Sequence, residues 1–273
     1  MTAKTGTMII FSPTGTTKKI LHAFCSGLEI NNMRIIDLTH INRLTKDIEI
    51  VKEDIVVIGM PVYEETIPEV VMDTLRKIKG KGQQAVLIAV YGNIGYGITL
   101  KQLEVIASNA GFTVIAAASF IGEHSFSNED VAIAKGRPDN DDLRKAREFG
   151  IEIKNRLIGT TDFESVQKLQ LPGSLPLMAR LLPKNSARFF TKDPIVDMNK
   201  CSLCGACVKV CPMSAIEEKT LHIDSDKCLR CFACVKRCTK NARKIIFKKK
   251  FFVTKVLKIQ GKKRKEPEFF YNV

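Results

Sequence analysis

Residues 8–28 read MIIFSPTGTTKKILHAFCSGL. A short apolar run (8–11) leads into a turn, Ser12-Pro13-Thr14-Gly15. The next segment places Ile20, Leu21, Phe24 and Leu28 on one helical face. A strand, a hydroxyl-rich turn and a helix in that order open an α/β fold. The helix N-terminus offers unpaired N–H groups and a positive dipole end, which suit a phosphate. Gly15 lets the backbone approach an anion closely, and the hydroxyls of Ser12, Thr14, Thr16 and Thr17 can donate to it. The loop lacks the Gly-Lys-Ser/Thr ending of a nucleotide-triphosphate loop and is not GxGxxG. Taken alone, Ser and Thr here serve equally well as ordinary helix caps.

The same rhythm continues outward. MRIIDL, DIVVIGM, QAVLIAVY and FTVIAAASFIG are strand-like, the last three continuous enough to be buried on both faces. IPEVVMDTLRKI, ITLKQLEVIASNAG and DLRKAREFGIEIKNRL read as the helices between and after them. The expectation over 1–158 is a doubly wound parallel sheet with helices on both faces. LPGSLPLMARLLPKNSARFF (171–190), with three prolines, belongs to a connector over 159–190. A compact cysteine module follows over 191–247, and a basic tail over 248–273.

A chain of 273 residues fits two domains, and 45% apolar with 26% charged residues is a globular balance. That excludes a disordered chain, a collagen and a coiled coil. No apolar run approaches the ~18 residues of a membrane span, and the N-terminus has no apolar core of signal-peptide length. A cytoplasmic protein is expected. Residues 1–165 hold 19 Lys+Arg against 21 Asp+Glu, whereas 166–273 hold 24 against 8. Basic character therefore belongs to the C-terminal part alone.

Eight of the nine cysteines lie between Cys201 and Cys238. CSLCGACVKVCP is echoed 27 residues later by CLRCFACVKRCT. Each run has the spacing C-x2-C-x2-C-x3-C, the bacterial iron–sulfur run whose fourth cysteine ligates the other cluster. Three thiolates from a tight loop and one from the far side surround a [4Fe–4S] cube. The expected sets are Cys201, Cys204, Cys207 and Cys238, and Cys228, Cys231, Cys234 and Cys211. Zinc sites more usually use two separated C-x2-C pairs. Thr239 stands where the first run has Pro212, which alters a turn and not a ligand. Cys25, mid-helix, reads as a buried structural thiol.

The loop [ST]-x-T-G-x-T after an N-terminal strand resembles the phosphate loop of flavodoxins. Two further segments match: Gly59-Met60-Pro61-Val62-Tyr63 after DIVVIG, and Tyr91-Gly92-Asn93-Ile94-Gly95-Tyr96-Gly97 after QAVLIAV. The whole chain resembles the flavodoxin–ferredoxin fusions of anaerobic bacteria and archaea. That resemblance implies FMN and two [4Fe–4S] clusters. FMN would be held by Ser12, Thr14, Gly15, Thr16 and Thr17 at its phosphate, and by Pro61, Val62, Tyr63, Tyr91, Gly92, Asn93 and Tyr96 around its ring. Tyr63 and Tyr96 would flank the ring, while Tyr91 directly extends a strand. Many flavodoxins carry a glycine in a flavin loop; here none stands beside Tyr63. Glu123-His124-Ser125 follows the next strand, and the lone histidine reads as a hydrogen-bonded structural residue.

From Lys227 to Lys265 there are 16 Lys or Arg and no acidic residue. This field suits an acidic redox partner or peripheral contact with an anionic membrane, or it is simply a solvated basic surface. No motif that reads nucleic acid is present. The expected function is electron transfer between two [4Fe–4S] clusters and FMN, linking one-electron carriers to a redox partner. No catalytic dyad or triad is found, so a relay and an FMN/Fe–S oxidoreductase both stay open. The alternatives are an FMN-free flavodoxin-like docking module that carries a ferredoxin, and a basic nucleic-acid-binding iron–sulfur protein.

Overall fold

Val, Ile and Ala fill the central strands almost without interruption, as strands covered on both faces require. The computed structural model describes residues 5–43, 55–159, 169–175 and 186–272. The first domain comprises β1 (Thr5–Ile10), α1 (Thr16–Leu28), β2 (Asn32–Asp37), β3 (Ile55–Pro61), α2 (Glu69–Lys77), β4 (Gln84–Tyr91), α3 (Thr99–Asn109), β5 (Thr113–Ile121) and α4 (Asn140–Gly159). The strands lie in the order β2-β1-β3-β4-β5, all parallel. This is the flavodoxin-like order, in which the chain reverses direction across the sheet between β1 and β3. Ligands of such sheets bind beyond the strands' carboxyl ends at that switch point.

Alternate residues of each strand feed two cores. Ile9, Val56, Ile58 and Leu87 meet Val71 and Leu75 of α2 and Leu100 and Leu103 of α3. Met8, Ile10, Val57 and Ile88 meet Ile20, Leu21 and Phe24 of α1 and Phe149 and Ile153 of α4. Helices α1 and α4 cross closely because both carry glycine at the contact. A Cβ on Gly27 would lie 2.0 Å from the Arg147 carbonyl oxygen, and one on Gly150 2.1 Å from that of Phe24. Cys25 packs against this second core, where burial pushes its thiol up to about 12.

The second part of the chain comprises α5 (Ser186–Phe190), β6 (Ile195–Val196), α6 (Ala206–Val210), α7 (Ala233–Lys236), β7 (Arg243–Lys244), α8 (Lys250–Gly261) and β8 (Glu268–Tyr271). Of the connector, residues 169–175 and 186–190 are described, and Leu169 and Leu171 pack onto the α2–α3 core.

Residues 248–272, read from the sequence as part of a basic tail, are built into the fold. Strand β8 pairs antiparallel with β5, Ala117 opposite Phe270, and becomes the sheet's sixth strand. Phe269 packs on Phe120 and Phe149 with ring centroids 5.7 and 5.1 Å away, while Phe270 joins the opposite core. Four residues after a proline give too short an alternation to be read as a strand without the partner edge.

A third core joins the two parts. Phe126, Val131 and Ile133, which follow β5, pack with Phe232, Ile245, Phe247, Val253 and Leu257. Between α8 and β8 the chain is tied down by polar groups. Asn93 donates from Nδ2 to the carbonyls of Gly261 (3.0 Å) and Lys263 (2.9 Å), and its Oδ1 accepts from the Lys265 N–H (3.1 Å). Buried Arg137 forms a two-pronged pair with buried Asp142 and donates to the Lys265 carbonyl at 2.7 Å.

Candidate functional site

The cysteine module repeats itself in space as well as in sequence. Leu203 and Arg230, Gly205 and Phe232, and Ser214 and Asn241 are pairs 27 residues apart, and all six have positive φ. Val196 pairs with Arg243, and Ile223 bridges Ile216 at the same offset. The Asp197 N–H donates to the Ala242 carbonyl and the Asp224 N–H to the Ala215 carbonyl, both at 2.8 Å. Each half therefore closes on the other. This crossing brings Cys211, the fourth cysteine of the first run, to the first three of the second.

Cys211, Cys228, Cys231 and Cys234 line one cavity, roofed by Ile216 and Ile223. These are the four assigned together from the spacing. Backbone N–H groups face the sulfurs: Ala215 donates to Cys211 Sγ at 3.3 Å and Ala242 to Cys238 Sγ at 3.2 Å. Burial pushes the Cys234 thiol up to about 12 and raises that of Cys231 too. Thiolates in so dry a place require cationic partners, which iron supplies. Cys201, Cys207 and Cys238 are half-buried and Cys204 is exposed. An N–H from Ala206 lowers the pKa of Cys204. The donor set, all sulfur with aimed N–H groups, fits iron–sulfur ligation. Among the described residues no three His, Cys, Asp or Glu side chains converge as a single-ion site.

The phosphate loop sits at the switch point after β1. Gly15 adopts φ 84° as the N-cap of α1, and the space where its Cβ would stand is open. Ser12 Oγ accepts from the Lys18 N–H at 3.0 Å, leaving the Thr16 and Thr17 N–H groups without an acceptor inside the helix. Thr14 and Thr16 share a hydroxyl contact of 3.1 Å. The Thr17 hydroxyl is buried with no partner. A cradle of spare donors around an open glycine fits a phosphate.

The ring loops differ from expectation. Tyr63 and Thr66 close a hairpin whose turn residues, Glu64 and Glu65, both have left-handed φ, where Asn-Gly is usual. Tyr63, half-buried with Pro61 and Val62, stands edge-on to Phe11 at 6.5 Å. Burial raises its pKa well above the tyrosine range, and the nearby Cys231 thiol adds to this. Leu229 packs onto the same core as Tyr63. In contrast, Tyr96 does not stand as an outward ring face. It is buried against Tyr91 (5.4 Å) and donates to Glu268 of β8 at 2.6 Å. Asn93 is fully used by residues 261–265, and a Cβ on Gly92 would lie 2.5 Å from His124. The Tyr63–Tyr96 pairing and the ring-edge role of Asn93 are thus corrected: β8 and the segment before it claim these groups.

His124 is structural, as its sequence context indicated. Its Nδ1 accepts from the Phe126 N–H at 3.0 Å, and burial, with Lys236 nearby, pushes its pKa down to about 4. Phe126, Phe232 and Lys236 were missed as joining residues. Lys236 ion-pairs with Glu123 and donates to the Ser127 carbonyl at 2.6 Å. The signal for Phe232 was available in the repeat, where it replaces Gly205.

Residues 193–239 match the family described as 4Fe-4S dicluster domain. The chain joins a flavodoxin-like domain to a ferredoxin-like dicluster module. The flavodoxin-like half of this fusion rests on its strand order. No curated protein matches the chain. Similar solved structures include an archaeal flavodoxin, 16% identical over 56% of this chain and 99% of its own, with a TM-score of 0.39. The flavodoxin of Fusobacterium nucleatum bound to flavin mononucleotide is 16% identical over 56% and 98%, at 0.41. The rubredoxin oxygen:oxidoreductase of Desulfovibrio gigas is 16% identical over 57% of this chain and 36% of its own, at 0.43. Among the described residues no helix is long and apolar enough to cross a membrane.

Proposed function

We propose that this fusion is an electron-transfer protein that holds two [4Fe–4S] clusters and FMN. The groups, when bound, supply one-electron steps at iron–sulfur and one- or two-electron steps at flavin. Cys201, Cys204, Cys207 and Cys238 hold one cluster, and Cys228, Cys231, Cys234 and Cys211 the other. Ser12, Thr14, Gly15, Thr16 and Thr17 bind the FMN phosphate. Pro61, Val62 and Tyr63 face its ring.

The observation that carries this reading is the seam at Tyr63. Leu229 of the second cysteine run packs onto the core that Tyr63 also joins, so that run and the loop after β3 share one side of the sheet. Phe232, seated on Phe126 at 5.4 Å, fixes that approach and keeps water out.

A second reading has an observation of its own. With Asn93 and Tyr96 engaged by the C-terminal segment, the first domain serves as an FMN-free dock for the dicluster module. One experiment separates the two. Anaerobically purified protein is assayed for iron, sulfide and released flavin, then titrated with FMN while flavin fluorescence is followed. About eight iron, eight sulfide and one FMN per chain support electron transfer through flavin. Full iron and sulfide with no FMN uptake would leave only the dock.

A further inference from the structure

The two cysteine runs are near copies in sequence and backbone, yet their surroundings are opposite. In the second run Arg230 is 5% exposed, Cys231 is buried and Phe232 is plugged into the first domain. Their counterparts in the first run are Leu203, 64% exposed, Cys204, also exposed, and Gly205, whose Cβ position is open. Leu203 is held outward in a left-handed conformation (φ 52°) that costs a branched residue about 1–2 kcal/mol. No apolar contact among the described residues covers it. Met198, 56% exposed, adds a second apolar tip immediately before this run. Lys200, Lys209, Arg237 and Lys240 flank its cysteines, and all four are exposed.

We infer that this face is the docking port for an acidic one-electron carrier protein. The inference rests on the reading of the module as an iron–sulfur carrier. Two apolar tips within a basic rim match the small, transient interfaces of redox encounters. The rim steers an acidic surface and orients it. One electron leaves the reduced carrier, which is oxidised, and reduces the group held by Cys201, Cys204, Cys207 and Cys238. No bond breaks and no proton moves. The second run, sealed where Phe232 seats on Phe126, is the inward side of the same path.

The test uses the full chain, reconstituted anaerobically with iron and sulfide. The probe is an acidic bacterial two-cluster ferredoxin. Calorimetry gives its Kd for the oxidised protein, and stopped-flow absorption gives the rate of electron exchange with the reduced probe. One variant combines Lys200→Glu, Lys209→Glu and Lys240→Glu. A control combines Lys255→Glu, Lys258→Glu and Lys262→Glu at α8, a second basic surface that also exposes Phe251. The port variant is expected to weaken binding and slow exchange by about tenfold or more, with the loss shrinking as salt rises. The α8 variant should change either by less than about threefold. Equal losses in both variants, a larger loss at α8, or no loss at the port with iron content intact would overturn the port. Iron and sulfide are measured on every sample. Wild-type protein that takes up neither overturns the underlying reading and the port with it.

Discussion

The flavodoxin-like domain and the dicluster module are stabilised by different means. The first buries two apolar layers, with Phe11, Phe24, Phe120 and Phe149 fully enclosed. Each such side chain contributes about 1.5–3 kcal/mol. The module's own core is little more than Ile216, Ile223 and Cys234. So small a core does not offset the entropy of ordering the loops around it. The third core and the C-terminal segment support the module from without, and on the proposed reading bound metal supports it from within. In such a fusion, one part supplies stability and the other supplies chemistry.

Stripping the iron tests this division with the largest effect. Chelation under reducing conditions should unfold the cysteine module, because metal binding there is part of folding. Circular dichroism should retain the helix–sheet signal of the first domain, and limited proteolysis should cut within 193–239. Simultaneous loss of both parts would show that the module supports the sheet, and would reverse the comparison.

Arg137→Ala probes the fastening. It leaves Asp142 buried without its partner and frees the Lys265 carbonyl. A cost of about 3–5 kcal/mol is expected from denaturant titration of the holoprotein. A cost near zero would mean that the segment before β8 holds without the pair.

The interface should also respond to acid. His124 has its pKa depressed to about 4 in the fold, against 6.5 when free. Its contribution is intact above pH 6.5 and is lost as pH falls toward 4, because the unfolded chain binds the proton first. The shift corresponds to about 3 kcal/mol. Thermal melts at pH 7 and pH 4.5 should separate, and His124→Gln should narrow the gap. An unchanged gap would place the acid sensitivity elsewhere.

The smallest effect belongs to the exposed Lys250–Asp130 pair, 2.7 Å long across the two parts. Asp130→Asn should leave the stability nearly unchanged, and any loss should vanish in high salt. A larger loss would show that rim charges, and not the apolar third core, hold the module in place.

Much of this was legible locally. Strand runs buried on both faces and the doubled cysteine spacing are short-range patterns with one dominant physical reading, whereas the Ser12–Thr17 turn taken alone suits a helix cap as well as a phosphate. Less legible was the fate of Tyr96 and Asn93. Their loop has a flavodoxin-like sequence, but the groups that satisfy them, Glu268 and residues 261–265, lie 165 or more positions away. Phe232 lies between these cases. The repeat exposes the Gly205-to-Phe exchange, but only the fold supplies Phe126 as its seat.

The sequence by itself determined the order of elements, the hydroxyl-rich turn before α1 and the repeat that relates the two cysteine runs. These follow from periodicity and spacing, which act over a few residues or one repeat. Tertiary structure alone decided that the last residues complete the sheet, that the ring loop is claimed by that return, and that one cysteine run is sealed while its copy stays open. Those outcomes depend on which surfaces meet. Contact between distant segments is set by the shape and polarity of both partners, and neither partner's local pattern contains the other.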